Sequence, residues 1–284
     1  MSRVISKAFK TLKLEAPSSG VLHVSLNRPE NFNAVNPQMW LDLKACFEQI
    51  KMDNDVNAVV LSGTGKNFCA GLDLKEGLPI TSGLEQPTET PRDVARKGYY
   101  NHMMVLELQK SISAIEECSK PVLCAIDNAC IGAGVDIATS CDIRYCTKDA
   151  FFSIKEVDIG MAADVGTLQR LPKVVGNISW ARELAFTARK ALADEALQFG
   201  LVSRIFNDKK ELLDFTLKMA ADIAGKSPVA VTSTKTVLNY SRDHSVQDGL
   251  NHVALWNTLM HNTNDVNSAI TAFLKKKSPK FSKL

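Results

Sequence analysis

Short apolar runs, each with the length of one strand, recur along the chain and limit it to folds that pair strands between helices. The predicted strands span residues 9–14, 21–26, 58–62, 121–126, 143–146 and 151–154. The first two alternate in hydrophobicity on either side of the Pro- and Gly-containing stretch 17–20, which predicts a hairpin. Because strands come in pairs between helical stretches, the order predicts an α/β fold of repeated β-β-α units and not a strict β-α-β array.

Helical patterns fill the intervals between the strands. Residues 37–52 have apolar side chains at a helical period, with Asn36 as the predicted N-cap. A helix is also predicted from about residue 92 to Cys118, after a stretch at 78–91, rich in Pro, Gly, Thr and Ser, that we expect to be a mobile loop. We predict a core of residues 1–207 followed by a helical oligomerisation region of residues 208–284. This region has two apolar stripes that we expect to bury against neighbouring subunits: Leu212, Phe215, Met219 and Ile223, and then Val246, Leu250, Val253, Trp256 and Met260.

Composition restricts the class of partner. A hydrophobic fraction of 45% in 284 residues suffices for one large core, or for a core with an appendage. The formal charge of +3 is too small to indicate nucleic acid or a membrane as the main partner, although it suits an anionic ligand. No apolar run has the length of a transmembrane helix. The 7 cysteines form no CxxC pair and the 5 histidines lack ligand spacing, so we expect buried thiols in a reducing compartment and no metal site.

Three carboxylates stand among small and apolar residues between positions 130 and 172. Asp136 follows the small-residue turn 132–134, Glu156 comes next, and Asp164 interrupts an Ala-Ala/Val-Gly run where an apolar residue would pack more easily. A carboxylate in such surroundings has a raised pKa and exchanges a proton near neutrality. Each acid alone is consistent with a turn or a helix cap, but the three together indicate proton-transfer chemistry.

Two glycine-containing loops follow buried strands. One spans residues 68–74 and reads FCAGLDL, and the other is the turn 132–134. Small residues at the start of a helix leave backbone N–H groups open to a ligand oxygen. Two converging N–H groups are what a thioester carbonyl needs if it is to become an enolate, whereas either loop alone would be a plain tight turn.

The segments FCAGLDL, IGAGVDI, CDIRY and KEVDIGMAADVGTLQRLP resemble the enoyl-CoA hydratase/isomerase (crotonase) superfamily, over roughly residues 9–273. The resemblance implies a spiral of β-β-α turns followed by a helical trimerisation region, assembled as a trimer or a dimer of trimers. It implies an acyl-CoA thioester substrate and no cofactor, since coenzyme A is part of the substrate. It also assigns the oxyanion hole to the backbone N–H groups of Leu72 and Ala133. Ala133 stands where the family usually has glycine, a departure that matters only if this residue requires a positive φ.

Residues along the acyl-thioester and pantetheine path also follow from the resemblance. The implied substrate-binding residues are Ala70, Gly71, Leu72, Asp73, Leu74 and Ala133.

The acids distinguish activities within this superfamily. Hydratases have glutamates at the positions of Asp136 and Glu156 and a glycine at the position of Asp164. The acids here match members that convert 3,5-dienoyl-CoA to 2,4-dienoyl-CoA in the β-oxidation of unsaturated fatty acids. The resemblance then implies that Glu156 removes a proton at C2, that Asp164 delivers one at C6, and that Asp136 supports their protonation states, with the first two roles open to exchange. The alternatives are an ordinary enoyl-CoA hydratase and a non-catalytic, RNA-binding member of the fold.

The two ends of the chain contain possible targeting signals. Ser282, Lys283 and Leu284 form a tripeptide that is a peroxisomal address when it is terminal, so we expect an exposed tail and an import receptor as partner. The alternative is a basic, solvated tail without a receptor. The basic N-terminal stretch 1–15 has features of an organelle presequence, consistent with an additional mitochondrial pool, but it leads directly into a strand and we treat it as part of the fold.

Overall fold

A computed structural model describes residues 8–76 and 93–284, and the predicted mobile loop 78–91 lies outside these ranges. The described residues form two sheets. The strands are β1 Leu12–Ser18, β2 Val21–Leu26, β3 Ala58–Gly63, β4 Val122–Ile126, β5 Ala129–Ile131, β6 Ile143–Thr147, β7 Phe151–Ser153, β8 Ala191–Leu192 and β9 Ile205–Phe206. The larger sheet has the order β1-β2-β3-β4-β6-β9, and every pair in it is parallel except the β1–β2 hairpin. The smaller sheet has the order β5-β7-β8.

Helices cover both sheets and form the C-terminal region. They are α1 Pro37–Met52, α2 Val94–Glu117, α3 Ala133–Ser140, α4 Thr167–Val175, α5 Ile178–Thr187, α6 Ala193–Gln198, α7 Lys209–Ala224, α8 Pro228–Arg242, α9 Val246–Met260 and α10 Asn264–Leu274. The bounds predicted for α1 are confirmed. Asn36 caps this helix, because its Oδ1 accepts a hydrogen bond of 2.9 Å from the Met39 N–H.

The predicted β-β-α repeat is confirmed. In the first repeat, β4 joins the large sheet, β5 joins the small sheet, and α3 follows. In the second repeat, β6 joins the large sheet and β7 joins the small sheet, and the 3₁₀ helix Glu156–Ile159 then leads to α4. Strand β5 was not among the predicted strands, because three residues are too few to show a period. The repeat brings the start of α3 next to the segment after β7, since a Cβ placed on Gly132 would lie 3.1 Å from Glu156 Oε1.

Helix α7 corrects the expectation for the first apolar stripe. Leu212 is buried, and Phe215, Met219 and Ile223 pack in a cluster that includes Tyr145 of β6. This stripe therefore covers the large sheet of its own chain and does not face a neighbouring subunit.

The second stripe lies on α9 and is only partly covered by its own chain. Val246 is 82% exposed and Leu250 is 56% exposed, whereas Val253, Trp256 and Met260 of the same stripe are half-buried. Leu259 on the same helix, Leu238 on α8 and Phe273 on α10 are also exposed. All 7 thiols are buried, as predicted. Within the described ranges, no helix combines the length and apolar character needed to cross a membrane.

Candidate active site

Backbone pairing brings the two glycine-containing loops together. The Cys69 N–H donates to the Ala129 carbonyl oxygen at 2.9 Å, and the Ile131 N–H donates to the Cys69 carbonyl oxygen at 3.0 Å. The loop after β3 thereby extends the edge formed by β5. Gly71 and Gly132 become neighbours, since a Cβ placed on Gly132 would lie 3.8 Å from the Gly71 Cα. Gly71 has a φ of 93°, a conformation that favours glycine.

Within the described ranges, both predicted oxyanion donors, the N–H groups of Leu72 and Ala133, have no backbone acceptor. The Gly71 carbonyl oxygen accepts from the Val35 N–H at 2.7 Å and the Asp73 N–H donates to the Val35 carbonyl oxygen at 3.0 Å, so the peptide group that contains the Leu72 N–H and the peptide group that follows it are both fixed. Ala133 is the first residue of α3, where backbone N–H groups have no partner inside the helix. Gly132 takes the positive φ of 49°, and Ala133 does not have one. Alanine is therefore unstrained at this departure from the family pattern.

A cavity that opens to solvent, with about 700 Å³ of empty space including the opening, connects these N–H groups with all three acids. Its walls are Trp40, Ala70, Gly71, Leu72, Leu74, Leu108, Ile131, Gly132, Ala133, Asp136, Lys155, Glu156, Ile159, Met161, Asp164 and Val165. The predicted site residues thus meet in one mostly apolar cavity, with the exception of Asp73.

Asp73 was predicted to bind substrate, but its carboxylate is directed elsewhere. It is buried, and its Oδ2 accepts from Arg28 Nη1 at 2.8 Å. Arg28 also donates to the Ala34 carbonyl oxygen and to Glu76 Oε1, each at 2.5 Å. Asp73 therefore fixes the loop that presents the Leu72 N–H, and it does not line the cavity.

Asp136 is a fully buried acid with one oxygen fixed. Its Oδ1 accepts from the Thr167 N–H at 2.6 Å and from Thr167 Oγ1 at 2.7 Å, whereas Oδ2 has no hydrogen-bond partner among the described residues. Burial raises the pKa of Asp136 to about 6, although the Thr167 hydrogen bonds and the Arg170 charge oppose this rise. Thr167 was not predicted, because its only sequence signal is a hydroxyl residue after Gly166 and its partner lies on another helix.

Glu156 begins the 3₁₀ helix after β7. Its Oε2 is buried and has no hydrogen-bond partner within the described ranges, and its Oε1 would lie 3.1 Å from a Cβ on Gly132. Burial, and secondly repulsion from Asp136, raise the pKa of Glu156 to about 7. Near neutral pH this carboxyl group therefore populates both protonation states, as a general base requires.

Asp164 is less buried than the other two acids. Burial raises its pKa, and a hydrogen bond from its own backbone N–H opposes the rise. Gln109 Nε2 of α2 donates to the Asp164 carbonyl oxygen at 2.7 Å and fixes the backbone there. The cavity thus contains a third carboxyl group with an increased tendency to hold a proton.

Available N–H groups beside buried acids define a class of enzyme that stabilises an enolate oxygen and moves protons on nearby carbons. The chain belongs to the enoyl-CoA hydratase/isomerase family, whose model matches residues 16–283.

Two relatives and one solved structure are similar to this chain over most of its length. It is 51% identical to the mitochondrial Delta(3,5)-Delta(2,4)-dienoyl-CoA isomerase of Homo sapiens, over 98% of this chain and 84% of the human protein. It is 44% identical to the peroxisomal Delta(3,5)-Delta(2,4)-dienoyl-CoA isomerase of Arabidopsis thaliana, over 98% of this chain and 99% of the plant protein. A crystal structure of a putative enoyl-CoA hydratase from Streptomyces coelicolor A3(2) matches with a TM-score of 0.84 and 27% identity, over 97% of this chain and 95% of that one.

Proposed function

We propose that this chain is a Δ3,5-Δ2,4-dienoyl-CoA isomerase that acts in the β-oxidation of unsaturated fatty acids. The observation that carries the proposal is the third acid: Asp164 shares one cavity with Asp136 and Glu156. A hydratase needs acids only around the Cα and Cβ atoms of its substrate, whereas moving two double bonds requires proton transfer at C2 and at C6. The identity to the two dienoyl-CoA isomerases supports the same activity.

The proposed mechanism uses only groups of the protein and its substrate. The N–H groups of Leu72 and Ala133 hold the thioester oxygen, and each such donor is typically worth about 2.7–4 kcal/mol of barrier. Glu156 takes a proton from C2, and the electron pair delocalises over the 3,5-diene to give a dienolate. Asp164 then protonates C6, which leaves double bonds at C2 and C4. Glu156 ends the turnover protonated and Asp164 ionised, so proton exchange with solvent restores the starting state.

Incubation with a 3,5-dienoyl-CoA tests the activity directly. The absorbance of the conjugated 2,4-dienoyl thioester should appear without any added cofactor. Hydration of a 2-enoyl-CoA in place of this reaction would make the chain a hydratase. Salt-sensitive retention of RNA, with no reaction on either thioester, would favour the non-catalytic alternative.

Asp136→Asn should shift the rising limb of the pH profile of kcat/KM to lower pH. This limb reports ionisation of the base Glu156, whose pKa of about 7 is partly due to repulsion by Asp136. An amide removes the negative charge and still accepts from Thr167, so the pKa of Glu156 should fall below about 7. A limb that stays in place or moves to higher pH would show that Asp136 does not exert this repulsion.

We also propose that residues 208–284 assemble the chain into a homo-oligomer, a trimer or a dimer of trimers. Exposed apolar side chains on α8, α9 and α10 form a surface that a second copy would cover. Light scattering at micromolar concentration should give a multiple of the 31.1 kDa chain mass. Leu250→Glu and Leu259→Glu together should shift the mass towards that of a monomer, whereas a monomeric parent chain would contradict the assignment.

We propose a peroxisomal location, with Ser282, Lys283 and Leu284 as the import signal. All three residues are exposed, although Lys283 forms an ion pair with Asp55. The Arabidopsis relative is named as peroxisomal and the human one as mitochondrial. Removal of the three residues should abolish import and preserve isomerase activity, while Lys276→Ala with Lys277→Ala should leave both unchanged. Continued import of the truncated chain would reject the signal.

A further inference from the structure

One face of helix α2 contacts the acid-bearing segment through polar side chains. Gln109, Ser113 and Glu116 are spaced by four and three residues, so they share this face. Gln109 donates to the Asp164 carbonyl oxygen at 2.7 Å. Arg170 donates from Nη2 to Ser113 Oγ and from Nε to Glu116 Oε2, both at 3.1 Å. Helix α2 therefore fixes the segment 164–170 at both of its ends.

Arg170 also holds the middle of that segment. Its guanidinium occupies the space beside Gly166, where a Cβ would overlap Nη1, and Nη1 donates to the Val165 carbonyl oxygen at 3.4 Å. Gly166 has a φ of 138°, which a residue with a side chain rarely adopts. Because residues 165 and 166 separate Asp164 from Thr167, their position determines where both of these residues lie.

Thr167 transmits this position to Asp136, because its N–H and its hydroxyl group both donate to Asp136 Oδ1. Among the described residues, the other charged or titratable groups that interact with Asp136 are Arg170, Asp164, Glu156, Cys69 and Cys130. Among these groups only Arg170 is a cation, so it favours the ionised form of Asp136.

We propose that Gln109, Ser113, Glu116 and Arg170, here called the acid-turn clamp, position Asp136 and Asp164 for proton transfer. Arg170 acts as a positioning residue through Thr167 and Val165 and has no contact with substrate in this role. The inference rests on the proposed isomerase function and adds residues to its site that do not line the cavity.

Glu116 has a second cationic partner. Arg242 of α8 pairs with Glu116 Oε1, and Asn239 Nδ2 donates to the Glu116 carbonyl oxygen at 3.3 Å. Loss of Arg170 therefore does not leave Glu116 as an unpaired buried charge, the usual reason why breaking such a pair unfolds a protein. Arg170→Met is accordingly expected to fold, and α8 connects the C-terminal helices to the clamp.

Kinetics of four variants test the clamp. Arg170→Met should reduce kcat by about 10- to 100-fold with little change in KM, because small displacements of reacting groups have effects of this size. Arg170→Lys keeps the charge but not the forked donor geometry and should give a smaller loss. Gln109→Met removes only the bond to the Asp164 backbone and should also reduce kcat. If Arg170→Met does not fold, the kcat of Gln109→Met decides whether the clamp positions the acids. Arg189→Met is the matched control, since Arg189 pairs with Glu183 and Glu195 on another part of the chain.

A titration that does not depend on activity completes the test. In protein with ¹³C-labelled Asp carboxyl groups, the Asp136 signal is assigned by its loss in Asp136→Asn. Arg170→Met should raise the pKa of Asp136 above its parental value, because a neighbouring cation is lost and the Thr167 hydrogen bonds relax, and Arg170→Lys should raise it less. Parental kcat and an unmoved Asp136 titration in Arg170→Met would overturn the clamp. If the parent chain has no isomerase activity, the proposed function fails, while the titration still decides whether Arg170 controls Asp136.

Discussion

Asp164→Asn is expected to lower the rate of conversion of 3,5-dienoyl-CoA by about 10²- to 10⁴-fold, the usual contribution of a positioned proton donor. Asparagine keeps the shape of the side chain, and the bond from Gln109 to the backbone oxygen of this residue remains. Binding of the CoA ester should therefore change little, so the loss appears in kcat and not in KM.

Exchange of the C2 hydrogen with deuterated solvent separates the two proton transfers. If Glu156 is the base, the Asp164→Asn enzyme should still exchange the C2 hydrogen, because only delivery of a proton to C6 is blocked. Asp149→Asn is a suitable control, since Asp149 is an exposed acid in the same part of the sequence that does not line the cavity. Loss of C2 exchange together with isomerisation would assign Asp164 as the initial base and exchange the two roles. Near-normal isomerisation would remove the main reason to prefer an isomerase over a hydratase.

Local signals in the sequence were sufficient for most of the fold. Helix α1 has both a cap residue and a regular apolar period, so its bounds were predicted without error. Strands β5, β8 and β9 were missed, because segments of two or three residues carry no period and form only by pairing with distant strands. The first C-terminal stripe was assigned to a subunit contact, since periodicity identifies an apolar face but not the surface that covers it.

The site residues that could be predicted are those whose chemistry is unusual at their position in the sequence. Three acids among apolar residues were recognisable, and the structure brings them into one cavity. The family resemblance assigned Asp73 to substrate binding together with its sequence neighbours, but its ion pair with Arg28, 45 positions away, decides its direction. Thr167 and Arg170 were missed for the same reason, since their roles depend on contacts between segments that only the folded chain brings together.

Glu156→Gln should abolish both isomerisation and exchange at C2, because an amide cannot accept the proton that starts the reaction. The expected loss of kcat is again about 10²- to 10⁴-fold. Glutamine occupies the same volume between Gly132 and the cavity, so binding of a saturated acyl-CoA, which cannot isomerise, should be retained. Exchange monitored by NMR of the C2 position is the decisive measurement, since it reports proton removal without requiring delivery to C6.

Asp158→Asn provides the matched control for this variant, because Asp158 lies on the same 3₁₀ helix and does not line the cavity. The comparison with Asp164→Asn orders the two steps. If Glu156 removes the first proton, its variant loses exchange while the Asp164 variant keeps it, and no other assignment of these two acids gives that pair of results. Persistent C2 exchange in Glu156→Gln would transfer the base role to another carboxylate of the cavity. If the Asp164→Asn enzyme also exchanged the C2 hydrogen, Asp136 would be the remaining candidate for the base. Its Oδ2 is buried and has no hydrogen-bond partner among the described residues.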